Sequence, residues 1–447
     1  MRLLLLLLGT EYLRTRWLAF ALLGAVWILA GVVIVLDALD GVQYFPLRLF
    51  GWLLVVEAGI GLAIALAGIA LRPVLRGAWA ALTLLTGLLL VLPFQVDHLV
   101  LALLFGLTFA ADGLFRIAAA WMVRFPGWRT ALAGGALEIL FAASVMQPWP
   151  SRYLGTVPIC LALVLALSGW TLARVGWRLR RLRPQASLGL LYARGHFLRE
   201  GQLAEGADLP VSSDGAELTV HVWTALGTAS DPRHRPLIDR YIAAVDHKGV
   251  VSTGHSALDL PPDLYVSHYP AIEIDHAPDD FARLLRATAE NDVPGRFLPS
   301  YTQEAADWCP STEQVRFCRF DAGRLRRFWE VYRRDATYNL TNRNCSSAVA
   351  HALEIALEGT LGRPDRGLRH AVRVLMSTEF WAASILRQHA ESMAWTPGLV
   401  LDYARNLQAL ENPPRLSAHA VWRMLRHPWR RGRALRRHQR PRSVTAL

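Results

Sequence analysis

The sequence predicts a membrane-embedded all-α bundle of about six helices, joined to a separate α+β domain that faces water. Residues 1–177 are dominated by Leu, Ala, Val, Ile, Gly and Trp, whereas the rest of the chain holds most of the charge. With 447 residues there is also room for two or three domains of roughly 100–200 residues each. The predicted organisation is a transmembrane bundle at 1–183, a linker at 184–214, an α+β domain at 215–362, a helical extension at 363–412 and a basic tail at 413–447.

Six apolar segments approach the length of about 20 residues that a transmembrane helix needs. They lie at 17–36, 49–71, 78–92, 99–123, 131–146 and 154–173. The apolar run at 3–8 is too short to span a membrane, and no small-residue cleavage site follows it. We therefore interpret residues 1–9 as an interfacial lead-in rather than a cleaved signal peptide.

Arginines alternate along these segments. They are abundant before the first segment, between the second and third, between the fourth and fifth, and after the sixth, whereas the opposite connections carry few. The positive-inside rule then predicts that both termini, and with them the α+β domain, are cytoplasmic.

Three acidic residues, Glu57, Asp112 and Glu138, fall within apolar segments. Arg116 follows Asp112 by four positions, which allows an ion pair along one helix face. Polar packing inside the bundle is favoured over a proton or ligand path. The span count and small-residue texture of residues 10–180 resemble the HdeD-like family of six-helix bacterial inner-membrane proteins, which are named for acid resistance. That resemblance implies a bacterial inner-membrane location.

The second half alternates short β-type segments with amphipathic helical ones, which is typical of an α+β domain. We predict strands at 218–226, 241–245, 250–258, 264–274 and 315–320. The predicted helices lie at 279–291, 321–334, 344–358 and 366–410.

Cys345 is the first candidate nucleophile. Asn344 is a good N-cap, so Cys345 would lie in the first turn of a helix, where free N–H groups and the helix dipole lower a thiol pKa. The alternative is a small, inert core cysteine.

Two histidines flank a predicted hairpin. A hairpin centred between Pro261 and Pro262 would place His255 opposite His268, within reach of each other. One imidazole could then act as a base and the other could orient it. The alternative is two unrelated histidines.

The motifs Gly254-His255-Ser256-Ala257-Leu258 and Asn344-Cys345-Ser346 resemble those of circularly permuted papain-like (NlpC/P60) enzymes. In these enzymes, as in lecithin:retinol acyltransferase-like proteins and the lipoprotein N-acyltransferase Lnb, the histidine precedes the cysteine. The resemblance spans about residues 215–360. It implies a permuted papain-like fold.

By the same resemblance Cys345 is the nucleophile, His255 the base and His268 the third polar residue, for which Glu273 and Asp259 are substitutes. Asn344, Ser346 and Tyr338 are predicted to contact substrate.

These residues predict a membrane-anchored acyltransferase or hydrolase that works through a Cys345 thioester on an acyl lipid or lipoprotein. A non-enzymatic membrane stress protein with a degenerate binding domain, and a cysteine peptidase or amidase, are the alternatives. Lipoprotein or peptidoglycan substrates would require a periplasmic domain, contrary to the arginine distribution.

Other features are less informative. The net charge is +12, but Lys248 is the only lysine, so the charge reflects an arginine bias rather than nucleic-acid binding. The histidines lack the i, i+4 spacing of a helical zinc site, and Cys309 and Cys318 are interpreted as structural. We predict no metal and no cofactor. The tail from Arg415 to Arg442, which also carries Trp422 and Trp429, is predicted to bind an anionic membrane surface.

Overall fold

The computed structural model describes most of the bundle helices and of the α+β domain. The described residues are 2–39, 98–125, 127–148, 155–181, 187, 217–225, 244–245, 251–272, 283, 285–362, 374–375 and 377–411, with scattered helical positions between 51 and 91. The helices are α1 Arg2–Leu8, α2 Thr10–Arg14, α3 Trp17–Leu39, α4 His98–Val123, α5 Trp128–Val145, α6 Thr156–Arg181, α7 Tyr301–Asp307, α8 Ala322–Tyr332, α9 Cys345–Leu357, α10 Thr378–Ser392 and α11 Pro397–Glu411. The strands are β1 Leu218–Trp223, β2 Ala244–Val245, β3 Val251–Ser252, β4 His255–Leu260, β5 Leu264–Val266, β6 His268–Pro270, β7 Val293–Phe297, β8 Glu313–Phe317 and β9 Thr337–Tyr338.

Three described helices are long and apolar enough to cross a membrane: α3, α6 and the part of α4 from Phe105 to Val123. They correspond to the first, sixth and fourth predicted segments, and α5 occupies the fifth. The predicted segments at 49–71 and 78–92 lie largely outside the described residues. A helical region with the length and composition of membrane spans is therefore present at the predicted place.

Small residues bring α3 and α6 into close contact. A Cβ atom added to Gly24 would lie 2.5 Å from the Gly169 carbonyl oxygen, so only glycine permits this approach of the two backbones. In the other helix pair, α4 and α5, the Arg116 guanidinium lies 3.1 Å from the Asp112 carboxylate and 2.9 Å from that of Glu138. The predicted Asp112–Arg116 pair is confirmed, whereas Glu57 lies outside the described residues.

The N-terminal leucines of α1 belong to the core of the α+β domain. Backbone oxygens of Leu6 and Leu7 accept hydrogen bonds from the N–H groups of Gly359 (3.1 Å) and Leu361 (2.8 Å), just beyond the end of α9. Most α1 side chains are buried in the same cluster as the α9 leucines. The prediction of an interfacial lead-in was wrong, because the leucine run is covered by protein rather than by lipid.

A four-stranded antiparallel sheet in the order β5-β4-β1-β8 forms the centre of the domain. One face, which includes Val220, Leu258 and Val266, packs in the main core with α8, α9 and α11. The other face carries a smaller cluster of Trp223, Ala257 and Tyr265. A three-stranded sheet in the order β6-β7-β9 and a pair, β2-β3, complete the described strands.

The C-terminal helices are part of this domain rather than an appendage to it. Glu354 of α9 forms a buried ion pair with Arg387 of α10 (2.7 Å) and accepts a hydrogen bond from Tyr403 of α11 (2.9 Å). The domain core therefore extends through the region predicted as a separate extension at 363–412.

Several local predictions differ from the structure. The elements β7, α7 and β9 were not predicted. The predicted helix at 279–291 was wrong over most of its described residues, because 285–288 are turn and irregular backbone and Ala289–Asn291 is a 3₁₀ turn. The tail from 413 onwards also lies outside them.

Candidate functional site

Gly254 sets the start of the strand that carries His255. Its φ angle is +70°, and a Cβ atom there would lie 2.3 Å from the Trp223 carbonyl oxygen. Any other residue would be both strained and obstructed at this position. The Gly-His pair thus has a structural reason: the glycine allows β4 to begin at His255, directly opposite Trp223 of β1.

His255 is held in a buried polar cluster. Its Nε2 atom lies 3.1 Å from the Ser267 hydroxyl and 3.2 Å from the Glu304 carboxylate, and its ring stacks on that of Tyr269 with centroids 3.9 Å apart. Burial, followed by the nearby charge of His268, lowers the pKa of His255 to about 3. The imidazole is therefore neutral at neutral pH.

Glu304 is the residue of this cluster that sequence reasoning missed. Its carboxylate also accepts hydrogen bonds from the hydroxyls of Tyr265 (2.5 Å) and Tyr269 (2.7 Å). Glu304 lies on α7, whose N-cap is Ser300, with the Gln303 N–H as the donor to its hydroxyl. A serine followed three residues later by glutamine is a helix-start pattern that would have located α7.

The predicted hairpin register was wrong by one residue. Leu258 pairs with Val266 and Leu260 with Leu264, so the hairpin is centred on Pro262 rather than between the two prolines. A shift of one residue reverses which side chains share a face. Accordingly, Tyr269 rather than His268 lies against His255.

His268 lies among different neighbours. Its Nδ1 atom is 3.0 Å from the Tyr332 hydroxyl of α8, and its ring meets those of Phe297 and Tyr338. Burial lowers the pKa of His268 to about 4, which a hydrogen bond to the Ala336 carbonyl partly opposes. This histidine is also neutral at neutral pH, and its partner Tyr332 belongs to the main core that α9 completes.

Cys345 opens α9 as predicted. The Asn344 side chain caps the helix by accepting from the Ser347 N–H at 2.8 Å, while the Ser347 hydroxyl accepts from the Asn344 N–H at 2.9 Å. This reciprocal pair fixes the first turn. Cys345 is therefore held rigidly, with 8% of its surface exposed.

The expected decrease in the Cys345 pKa was wrong for this resting geometry. Burial raises the pKa of the thiol, and it outweighs the hydrogen bonds from Ser346 and from the backbone and side chain of Ser256. A helix N-terminus stabilises a thiolate only where desolvation does not exceed that stabilisation. The sulfur is therefore a protonated thiol.

The two sequence motifs meet through Ser256, not through His255. The Ser256 hydroxyl lies 3.1 Å from that of Ser346, which in turn lies 3.7 Å from the Cys345 sulfur. Neighbouring residues of a strand point to opposite faces. In the part of the chain that the structure describes, neither His255 nor His268 is hydrogen-bonded to that sulfur.

Three tyrosines are near enough to the thiol for its charge to affect their pKa. Burial is the largest cause of the raised pKa of Tyr269, Tyr332 and Tyr338. A charge on Cys345 also raises each, after the contributions of Glu304 for Tyr269 and after the opposing charge of Arg343 for Tyr332. Cys345 and His268 are therefore both close to the Tyr332 phenol, and Cys345 and the His255 ring are both close to Tyr269.

The residues predicted to contact substrate have structural partners. The Asn344 amide donates to the Leu340 and Trp395 carbonyls, at 2.7 and 2.9 Å, in addition to its capping role. Tyr338 is buried against His268, and Ser346 contacts Ser256. Their contact with a substrate stays a prediction.

Of the two substitute residues, Asp259 does not pair with His255. Asp259 lies 4.0 Å from His221, whose other ring nitrogen is 3.0 Å from the Ser311 hydroxyl. Glu273 lies outside the described residues. Among the residues that the structure describes, no group of His, Cys, Asp and Glu side chains is arranged to hold a metal ion.

Comparison of the chain with models of known protein families, with curated proteins and with solved structures gave no match. The assignment of a function therefore depends on the geometry above and on the motif resemblance.

Proposed function

We propose that the α+β domain is a cysteine-dependent acyltransferase or acyl hydrolase in which Cys345 is the nucleophile. The observation that carries this proposal is the contact between Ser256 and Ser346, at 3.1 Å, which joins the Gly-His-Ser and Asn-Cys-Ser motifs across the sheet–helix interface. Two short motifs far apart in sequence therefore meet beside one buried thiol.

In this proposal the thiol and its base start uncharged. The Cys345 sulfur attacks an acyl carbonyl carbon, and a neutral histidine accepts the thiol proton and passes it to the departing alcohol or amine. The resulting thioester is then attacked by water or by an acceptor amine or hydroxyl, which restores the thiol. The backbone N–H groups of Ser256 and Cys345 are suited to stabilise the oxyanion.

We assign the role of base to His268 rather than to His255. The His268 Nδ1 atom has an uncharged phenol, that of Tyr332, as its partner, whereas the His255 Nε2 atom is engaged by the Glu304 carboxylate and the Ser267 hydroxyl. His255 then acts as a structural residue that positions β4 and, with it, Ser256. This assignment exchanges the two roles that the motif resemblance implies.

The proposed substrate class is an acyl lipid or a lipid-anchored acyl group. The domain contacts the membrane-type helix α4 directly: the Ala287 N–H donates to the Val123 carbonyl at 2.7 Å, and His389 stacks on Phe115 at 6.3 Å. A domain fixed beside a membrane meets lipids at a high effective concentration. The arginine distribution favours a lipid acceptor on the cytoplasmic side.

A non-enzymatic binding domain is the second candidate. It is favoured by the raised pKa of Cys345, which burial causes, and by the deep burial of His255 and His268, at 3% and 0% exposure. In that case the thiol is a core residue and the site opens to no substrate.

The two candidates are separated by labelling the full-length protein, in detergent micelles, with a fluorescent long-chain acyl ester. An enzyme forms a hydroxylamine-sensitive thioester that Cys345→Ser abolishes and that the matched control Cys318→Ser retains. Cys318 is exposed and lies outside the site. Labelling that persists in Cys345→Ser, or that never appears in the wild type, would contradict the enzyme proposal.

A further inference from the structure

A cavity of about 680 Å³ lies where the first and last described membrane helices leave the apolar region. It is enclosed by the end of α2, the start of α3 and the end of α6. Its lining residues are Glu11, Arg14, Thr15, Trp17 and Arg180. None of these residues belongs to the Cys345 site. The cavity lies at the ends of the apolar helices α3 and α6, and helix ends are where lipid headgroups contact a membrane-spanning protein.

The cavity walls carry charges of both signs. Three of the cavity's five lining residues are charged: Arg14, Arg180 and Glu11. Among the residues that the structure describes, none of these three forms an ion pair with another side chain. Arg180 is held over the Trp17 ring, 5.0 Å from its centroid, which fixes the guanidinium at the cavity wall.

Such a wall matches a ligand that carries both a phosphodiester and an ammonium group. Guanidinium groups bind phosphate oxygens through several N–H donors in a fixed plane. A primary ammonium can donate to a carboxylate, whereas a trimethylammonium has no N–H group to donate. One acidic and two basic side chains therefore select a zwitterionic headgroup with a primary amine.

We propose that this cavity binds the headgroup of an ethanolamine-type glycerophospholipid, with the phosphodiester between Arg14 and Arg180 and the ammonium at Glu11. Membrane proteins bind lipid headgroups in basic pockets between helices at the membrane surface. The helix α2, which lines this cavity, is joined to the end of α9 by the hydrogen bond from Thr10 to Glu358 at 2.9 Å. A lipid bound here would stabilise the junction between bundle and domain.

The test is native mass spectrometry of the full-length protein, released from micelles that contain equal amounts of phosphatidylethanolamine, phosphatidylglycerol and phosphatidylcholine. The wild type is expected to retain ethanolamine lipid preferentially. Replacing both Arg14 and Arg180 by Gln should weaken all phospholipid retention, by about fivefold for each guanidinium removed. Arg178→Gln, an exposed position on α6 outside the cavity, is the matched charge control and should retain the lipid.

The variant Glu11→Gln should change the preference between lipids rather than the overall retention of phospholipid. It should lose about tenfold of the preference for ethanolamine over choline, since a charge-assisted hydrogen bond disappears, while retention of phosphatidylglycerol is kept or increased. Equal retention of the three lipids by the wild type, or equal losses in Arg178→Gln and the double variant, would overturn the proposal. Displacement of the lipid by millimolar inorganic phosphate would show that the site takes free phosphate instead.

Discussion

The Nε2 atom of His255 lies 3.2 Å from the Oε1 atom of Glu304, which also accepts the hydroxyl of Tyr269. The histidine that the sequence motif indicates as the base is thereby engaged by a carboxylate from helix α7. We therefore prefer His268 as the base and assign a structural role to His255.

The first prediction concerns the two histidines. His268→Ala should slow acylation of Cys345 by about 100-fold or more, the usual contribution of a general base. His255→Ala should slow it much less, because His255 faces the smaller cluster. The measurement is the rate of thioester formation with the acyl ester probe, with near-native tryptophan fluorescence as the control for folding. The reverse order of effects would restore the assignment implied by the motif.

The second prediction concerns Glu304. Glu304→Ala removes the acceptor of two buried tyrosine hydroxyls and of His255, so the free energy of unfolding should fall by about 3 kcal/mol or more. The matched control Glu313→Ala breaks only the ion pair with Arg405, in which the Glu313 side chain is 42% exposed. It should lower the free energy of unfolding by less than about 1 kcal/mol. Guanidinium denaturation of the purified chain measures the free energy of unfolding of both variants. Equal losses would show that the buried cluster stabilises the domain no more than an exposed ion pair does.

The third prediction concerns the ion pair between Arg387 and Glu354, whose side chains are 4% and 2% exposed. Arg387→Met leaves a buried carboxylate unpaired and should cost about 3–5 kcal/mol. The double variant with Glu354→Leu should recover most of that loss, although Tyr403 then loses its acceptor. Arg326→Ala breaks an exposed pair with Asp263 and serves as the control. Strictly additive losses in the double variant would contradict this account.

The fourth prediction is a loss of stability in acid. Burial holds the pKa of His255 at about 3 and that of His268 at about 4, below the ordinary value of 6.5. Between pH 6.5 and 4, the two imidazoles are therefore protonated in the unfolded chain but not in the folded domain. Stability should be full above pH 6.5 and should fall towards pH 4 by about 1.4 kcal/mol per pH unit for each histidine.

Unfolding midpoints measured between pH 7.5 and 4.5 test this dependence. The double variant with His255→Gln and His268→Gln should show a shallower loss, whereas His389→Gln, at an exposed position, should leave the slope unchanged. A wild-type midpoint that is constant across this range would refute the buried, neutral state of the two imidazoles.

The fifth prediction concerns the cap of α9. Asn344→Ala removes the cap and two donors to buried carbonyls, so it should cost about 2 kcal/mol or more. Asn344→Asp keeps the acceptor and should cost less. Asn342→Ala, in the preceding loop, is the control. The same ranking should appear in the reactivity of Cys345, because the cap fixes its position.

The sequence correctly predicted those helices and strands whose formation depends on neighbouring residues alone. The first turn of α9 follows from Asn344, α8 from the cap at Asp321, and β1 from its apolar residues. The predictions that were wrong depended on contacts between residues that are distant in sequence. The Pro261-Pro262 loop gave no basis for choosing between registers one residue apart, and Glu304 reaches His255 only through the tertiary fold. The Cys345 pKa depended on burial, which a helix start cannot reveal.

The packing of the N-terminal segment against the α+β domain also constrains the membrane topology of the chain. Thr10, before the first membrane helix, and Ser187, after the last, both donate to the carboxylate of Glu358 in the same domain. If the apolar helices span a bilayer, both ends of the membrane region emerge on the same side, and the number of crossings is even. Three described helices satisfy the length and hydropathy requirements, so an even number requires at least one crossing besides these three.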